Sequence, residues 1–143
     1  MDALSWRGAL WLWSPASKRS AIENILVCVV DDDESVRESL PDLLKQFGFA
    51  ARSFSSAEEF LASDCVDQTR CLLLDVAMPG MTGPDLQQEL IRRRQGIPIV
   101  FITADRDMIV RQRLIKQGAA ECLSKPFSDT TLLEAVNSAL HPK

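Results

Sequence analysis

The chain has 143 residues, of which 46% are apolar and 25% charged, and its net charge is −4. This length and balance suit a single domain with its own hydrophobic core, so disulfide or zinc cross-links are not needed for folding. The acidic charge argues against nucleic-acid binding, which favours a basic patch, and no run approaches the roughly 18 to 20 apolar residues of a membrane span.

Residues 1–24 differ in composition from the rest of the chain. They contain all three tryptophans, Trp6, Trp11 and Trp13, in a short apolar stretch that is followed by basic residues. The stretch is too short for a signal peptide, and the charges lie on its wrong side. It could bind a membrane surface or a partner, but we interpret it as a poorly ordered extension, with residues 25–143 as the folded domain.

From residue 25 onward, apolar runs that suit buried parallel strands alternate with segments of helical period. The predicted strands cover residues 25–30, 50–54, 71–75, 98–103 and 119–123. The predicted helices cover residues 34–47, 85–94 and 107–117, a short segment capped by Ser56 with Glu59 in a capping box, and a last segment capped by Ser128. Strict alternation predicts a parallel sheet with helices on both faces and right-handed crossovers.

Proline and glycine mark the ends of these helices. Pro41 lies inside the first helical segment, where proline costs about 3 kcal/mol, and it predicts either a kink or a late start of that helix. Gly48 and Gly118 directly follow helical segments and are expected to end them.

Polar residues follow the buried runs, and in a parallel sheet the ligand site lies beyond these carboxyl ends. They are Asp31 to Asp33 after the first run, Asp75 at the end of the third, Thr103 at the end of the fourth and Lys125 after the fifth. Carboxylates crowded into one pocket repel one another, and a magnesium ion with hard oxygen ligands would relieve this repulsion. The set suits phosphoryl transfer, with Asp75 as the nucleophile, Lys125 neutralising charge and Thr103 donating a hydrogen bond.

Each of these residues has a simpler interpretation when it is taken alone. The acids at residues 31–33 could only favour a helix N-terminus, Thr103 could cap the fourth helix, and Lys125 could be a surface lysine. The occurrence of all the pieces in one order, each at the end of a predicted strand, argues against the separate interpretations.

Four motifs resemble the receiver domain of two-component response regulators. They are residues 29–32 (VVDD), 74–83 (LDVAMPGMTG), 102–104 (ITA) and 125–127 (KPF). The resemblance covers residues 25–140 and is closest to receivers that precede a LuxR-type helix-turn-helix output domain. It implies a flavodoxin-like, doubly wound α/β fold whose five parallel strands have the order 2-1-3-4-5.

The resemblance also implies roles for individual residues. Asp75 would accept a phosphoryl group from a phosphohistidine of a sensor histidine kinase, and the domain itself would be cytoplasmic. Asp32, Asp75 and the backbone carbonyl of Ala77 would bind Mg²⁺ or Mn²⁺, with Asp31 helping through a water molecule. Lys125 would pair with the phosphoryl group. The domain would catalyse its own phosphorylation and dephosphorylation without being an enzyme that acts on an external substrate.

The resemblance further implies a switch in the surface of the domain. The bond between Lys125 and Pro126 would be cis, and phosphorylation would draw Thr103 toward the phosphoryl group. This movement would reshape the face formed by the fourth helix, the fifth strand and the fifth helix, which could also form a homodimer. The basic residues near this face mark either a partner surface or ordinary solvated positions: Arg106, Arg111, Arg113 and Lys116. Transcriptional control would follow if an output domain is attached.

Cys122 departs from the family pattern, because it stands three positions before Lys125, where an aromatic switch residue is usual. Coupling between phosphorylation and the surface would then be weaker or would use other contacts. A redox role is an alternative to simple packing. The other cysteines, Cys28, Cys65 and Cys71, show no zinc-ligand spacing, and we interpret all four as reduced core residues.

Two other functions remain as alternatives. A phosphohydrolase of the haloacid-dehalogenase kind shares the aspartyl-phosphate chemistry but needs a second acid two residues after the nucleophile, where this chain has Ala77. A pseudo-receiver would bind partners without phosphorylation. The complete set of acids, threonine and lysine argues against a pseudo-receiver, whereas Cys122 argues for it.

Overall fold

A computed structural model of the chain describes residues 25–104 and 108–141. The tryptophan-containing extension predicted at residues 1–24 and the basic residue Arg106 lie outside the described residues.

Five strands and five helices alternate along the described residues, as predicted. The strands are β1 Leu26–Val30, β2 Ala50–Phe54, β3 Thr69–Asp75, β4 Ile99–Thr103 and β5 Glu121–Ser124. The helices are α1 Glu34–Gln46, α2 Ala57–Ala62, α3 Gly83–Arg92, α4 Met108–Lys116 and α5 Asp129–Leu140, and a short 3-10 turn covers Val66–Gln68. No helix in the described part of the chain is long and apolar enough to cross a membrane.

The strands form one parallel sheet in the order β2-β1-β3-β4-β5, which confirms the predicted order 2-1-3-4-5. The chain moves outward from β1 to β2 and then returns past β1 to form β3. The strand order therefore reverses between β1 and β3, and such a reversal opens a crevice at the carboxyl ends of the two strands. Asp31 follows β1 and Asp75 ends β3, so both acids lie at this crevice.

The hydrophobic core consists of two apolar layers, one on each face of the sheet. Cys28 and Val30 of β1 belong to the layer covered by α2, α3 and α4, whereas Val27 and Val29 belong to the layer covered by α1 and α5. All four side chains are fully buried. The continuous apolar run of β1 is thus explained, because successive strand residues point to opposite faces and both faces are covered.

Helix α1 begins at Glu34 despite Pro41 in its interior, so the predicted late start is wrong. Asp33 caps the first turn by accepting the Ser35 N–H, and Pro41 is itself buried beside Leu40. The cap and the buried apolar side of the helix offset the cost of the missing proline N–H.

Helix α3 begins at Gly83 rather than at residue 85, because Thr82 and Asp85 form a reciprocal capping box. At α2 the predicted capping box forms only in part. Ser56 accepts the Glu59 N–H, but the Glu59 carboxylate accepts the N–H of Ser55 rather than that of Ser56. The other predicted boundaries lie within two residues of the observed ones, and the predicted stops at Gly48 and Gly118 are confirmed by their positive φ angles.

All four cysteines are free and buried, as predicted. Burial raises the pKa of Cys28 to about 11 and that of Cys71 to about 12. The pKa of Cys122 is also raised by burial. Because the thiolate is the reactive form of cysteine, these side chains behave as small apolar groups of the core.

Candidate functional site

Three carboxylates meet where β1 and β3 end. One oxygen atom from each of Asp31, Asp32 and Asp75 lies within 4.8 Å of the others. Asp31 is fully buried and Asp75 is 7% exposed, whereas Asp32 is exposed. The fold thus brings together acids that are more than forty residues apart in the sequence, and Asp32 leaves one side of the cluster open to solvent.

Backbone hydrogen bonds fix the segment that carries the first two acids. The Asp31 N–H donates to the Phe54 carbonyl at 3.2 Å, which extends the pairing of β1 with β2 by one residue. Beyond it, the Asp33 side chain caps α1. The Arg37 guanidinium on α1 donates to the Asp31 carbonyl oxygen at 2.9 Å. The segment is therefore held from β2 on one side and from α1 on the other.

Lys125 is placed against this cluster by the end of β5. Its Nζ lies 3.1 Å from Oδ2 of Asp31, and its side chain is 26% exposed. The Lys125 N–H donates to the Thr103 carbonyl at 2.8 Å, which continues the pairing of β4 with β5. The peptide bond between Lys125 and Pro126 is cis, so this prediction is confirmed. The site therefore contains one ammonium group opposite three carboxylates.

The excess of negative charge is visible in the acid–base equilibrium of Asp75. Burial and the neighbouring Asp31 carboxylate raise the pKa of Asp75 to about 7, although Lys125 opposes the shift. A group of three carboxylate oxygens, partly buried and short of positive charge, is the donor set that Mg²⁺ or Mn²⁺ prefers. The residues present therefore fit a divalent cation.

Thr103 and Ala77 belong to elements that adjoin the strand ends carrying the cluster. Thr103 is the last residue of β4, which pairs directly with β3, and it is buried. Ala77 is exposed and follows Asp75 by two residues in the loop that leads to α3. This loop begins in a fixed position, because the Val76 N–H donates to the Ile102 carbonyl at 3.1 Å.

Gly83 closes the same loop by packing against the end of β3. Its N–H donates to the Val76 carbonyl at 3.0 Å. A Cβ atom at Gly83 would lie only 2.4 Å from the Asp75 carbonyl oxygen and 3.0 Å from the Phe101 ring. Glycine is required here because the backbone of α3 touches the backbone that carries Asp75. Gly83 is the last residue of the motif at residues 74–83, and the sequence gives no sign of this close approach.

Two side chains that support the site were missed by the sequence reasoning. Arg37 was not predicted to support the site. The one sequence feature that could have identified it is its position one to two helical turns after the acids. Glu58 lies inside the predicted capping box between Ser56 and Glu59, but its Oε2 accepts the N–H of Met81 at 3.1 Å. Both contacts join segments that show no shared pattern in the sequence.

Cys122 occupies the position of the missing aromatic residue without changing the sheet. It pairs in register with Phe101 on β4 and is 1% exposed. It belongs to the layer covered by α2, α3 and α4. This placement favours the packing role over a redox role.

Comparison with known proteins shows the family to which the chain is similar. Residues 27–137 match the family model described as the response regulator receiver domain. Nodulation protein W of Bradyrhizobium diazoefficiens is 43% identical over 134 residues, which are 94% of this chain and 56% of that protein. The transcriptional regulatory protein TdiR of Thauera aromatica is 42% identical over 80% of this chain and 50% of its own length. The chain thus spans about half the length of these curated relatives.

Solved structures agree in fold with the described domain. The response regulator StyR is similar with a TM-score of 0.75 and 47% identity, over 82% of this chain and 59% of that chain. The structure named FixJ-N is similar with a TM-score of 0.74 and 36% identity, over 83% of this chain and 95% of that chain. The family match, these likenesses and the doubly wound fold agree with one another, and the chain belongs to the response regulator receiver domain family.

Proposed function

We propose that the domain is cytoplasmic and accepts a phosphoryl group on Asp75 from a sensor histidine kinase, in a reaction that requires Mg²⁺ or Mn²⁺. The observation that carries this proposal is the cluster of Asp31, Asp32 and Asp75 within 4.8 Å, with Lys125 beside it. Such a site can position a phosphoryl group and neutralise its charge, which is most of what phosphoryl transfer requires.

In the proposed reaction a carboxylate oxygen of Asp75 attacks the phosphorus of a phosphohistidine. The bond between phosphorus and the imidazole nitrogen breaks, the nitrogen keeps the electron pair, and an acyl phosphate forms on Asp75. A bound divalent cation, held by Asp32, Asp75 and the Ala77 carbonyl with Asp31 acting through water, would supply charge that keeps Asp75 ionised. Lys125 would pair with a phosphoryl oxygen, and the Thr103 hydroxyl would donate a hydrogen bond to another.

The proposed function is tested by the intact mass of the protein after incubation with acetyl phosphate, with Mg²⁺ and with a chelator in its place. We expect a gain of one phosphoryl group that requires the cation. An unchanged mass under both conditions would contradict the proposal and favour the pseudo-receiver, which binds partners without phosphorylation.

Replacing Lys125 with alanine is expected to change two properties in opposite directions. Phosphoryl uptake should slow by about 100-fold, because the charge that stabilises the transferred oxygens is lost. Affinity for Mg²⁺ should rise, because Lys125 lies 3.1 Å from Asp31 and repels a cation bound there. Stopped acetyl phosphate reactions and calorimetric Mg²⁺ titration measure the two effects. Lys125→Arg, which keeps the charge, is the control, and an alanine variant with wild-type uptake would contradict the assigned role.

We also propose that phosphorylation promotes a homodimer through the face of α4, β5 and α5. Its charges suit a two-fold interface, since Arg111 and Lys116 lie on α4 whereas Glu121 and Glu134 lie on β5 and α5. Sedimentation velocity should show a larger fraction of dimer after phosphorylation. Glu134→Lys should lower the affinity of dimerisation by up to about tenfold, and the fraction of dimer should fall with it. A phosphorylated domain that stays monomeric at all concentrations would contradict this interface.

A further inference from the structure

The loop between β3 and α3 carries Ala77, whose carbonyl is a proposed cation ligand, and both ends of the loop are fixed by contacts already described. Its start is held by the Val76 N–H, which donates to Ile102, and its end is held by Gly83. Near its middle, Met78 is buried in the core layer covered by α2, α3 and α4. The remaining part is the crest of the loop, which consists of the exposed Gly80 and the partly buried Met81.

Glu58 of α2 holds this crest from outside the loop. Its Oε2 accepts the Met81 N–H at 3.1 Å across 23 residues of sequence. The same oxygen lies over Gly80, where a Cβ atom would approach it to 2.9 Å. Gly80 also has a φ of +75°, a conformation that favours glycine. The crest is therefore shaped to receive this carboxylate.

The neighbouring acid on α2 has a different task, which makes the contact of Glu58 specific. Glu59 bonds backward to the N–H and hydroxyl of Ser55, and its own N–H is taken by Ser56. The first turn of α2 is thus capped without Glu58. The Glu58 carboxylate instead accepts the hydrogen bond from the loop. In the part of the chain that the structure describes, Glu58 is not a member of the three-acid cluster.

Glu58 connects the two chain segments that form the cluster. Helix α2 follows β2, and the last residue of β2, Phe54, accepts the Asp31 N–H. The loop that Glu58 holds follows directly from Asp75 at the end of β3. We propose that Glu58 is a positioning residue, which holds the loop so that the Ala77 carbonyl and the acids can bind one cation together. This inference rests on the proposed function.

Loss of this contact should weaken cation binding more than it weakens the fold. In Glu58→Ala we expect the dissociation constant for Mg²⁺ to rise by about three- to tenfold, the effect of one exposed hydrogen bond to a charged group. Phosphoryl uptake should fall by a similar factor at low Mg²⁺ and should return close to the wild-type rate at saturating Mg²⁺. The midpoint of thermal unfolding in chelator should change little.

The experiment compares Mg²⁺ titrations of the wild type with Glu58→Ala, Glu58→Gln and Glu59→Ala. Glutamine keeps an oxygen that can accept the Met81 N–H, so Glu58→Gln should stay within about twofold of the wild type. Glu59→Ala removes an equal charge from the same helical turn without touching the loop, and it should also stay within about twofold.

Each other outcome overturns the inference. Equal weakening in Glu58→Ala and Glu59→Ala would show an effect of charge alone. Equal weakening in Glu58→Ala and Glu58→Gln would exclude the hydrogen bond to the loop. If the wild type binds Mg²⁺, either of these two patterns would overturn this inference and leave the proposed function intact. If the wild type does not bind Mg²⁺, the proposed function and this inference are both overturned.

Discussion

Replacing Asp75 with asparagine is expected to abolish phosphoryl uptake and, at the same time, to stabilise the cation-free domain. Asparagine has the same size but lacks the carboxylate that attacks phosphorus, so no acyl phosphate can form. It also removes a nearly buried charge that Asp31 repels. We expect no mass gain from acetyl phosphate and a gain of about 1–3 kcal/mol in the free energy of unfolding near pH 8 in chelator.

The gain in stability should depend on pH in a defined direction. Burial and Asp31 raise the pKa of Asp75 from 3.8 to about 7 in the folded protein. The folded wild type therefore holds a proton that the unfolded chain has lost, and its stability falls as pH rises from about 4 to about 7. Urea unfolding in chelator should show a small difference between Asp75→Asn and the wild type near pH 4 and the full difference near pH 8.

The matched control for this variant is Asp33→Asn. Asp33 is the neighbouring acid, but its side chain caps α1, and the Ser35 hydroxyl and N–H lower its pKa. Because asparagine is an equally good cap, this control should keep phosphoryl uptake and should not gain stability as pH rises. The assignment of the nucleophile would be contradicted if Asp75→Asn took up phosphoryl groups as the wild type does. It would also be contradicted if Asp33→Asn lost phosphoryl uptake while Asp75→Asn kept it.

Replacing Gly83 with alanine is expected to destabilise the domain by about 3 kcal/mol or more, because the added methyl group has no room. It would lie 2.4 Å from the Asp75 carbonyl oxygen and 3.0 Å from the Cα atom of Val76. These neighbours are backbone atoms of the strand end that carries the nucleophile. Separation of α3 from β3 should therefore also weaken Mg²⁺ binding in any protein that remains folded.

Gly96→Ala is the control for Gly83→Ala, since no atom of the described residues beyond Gly96 and its two chain neighbours lies within 4 Å of a Cβ atom placed there. It should change the free energy of unfolding by less than about 1 kcal/mol, and a small stabilisation is the expected direction. Urea unfolding measures both variants. Equal stability of the two alanine variants would show that α3 does not pack against the end of β3 as described.

The fold could be predicted because its strands carry strong local signals. The apolar runs of β1, β3 and β4 are buried on both faces. The helical period of α1 and α5 distinguishes these two segments from the strands. The same pattern places Asp31 and Asp75 at strand ends, so their meeting follows from the parallel sheet. The start of α3 was less predictable, because its capping box uses Asp85 where glutamate or glutamine is usual.

The contacts that support the site could not be predicted in the same way. The lack of space at Gly83 depends on how closely α3 approaches β3, which composition and periodicity do not encode. Arg37 acts through one hydrogen bond to the nearby Asp31, and Glu58 acts through one hydrogen bond to Met81 in a later loop. A single polar side chain of this kind leaves no periodic pattern in the sequence. The roles of Thr103, Lys125 and Ala77 in phosphoryl transfer stay predictions.

The most direct test of the account is to locate the phosphoryl group by mass spectrometry. After incubation with acetyl phosphate and Mg²⁺, borohydride reduces an acyl phosphate of aspartate to homoserine, which remains in the peptide as a stable mark. We expect homoserine at residue 75 and no mark at Asp31, Asp32 or Asp33. A mark on any other acid, or the absence of a mark in protein that has gained phosphoryl mass, would contradict Asp75 as the site of phosphorylation.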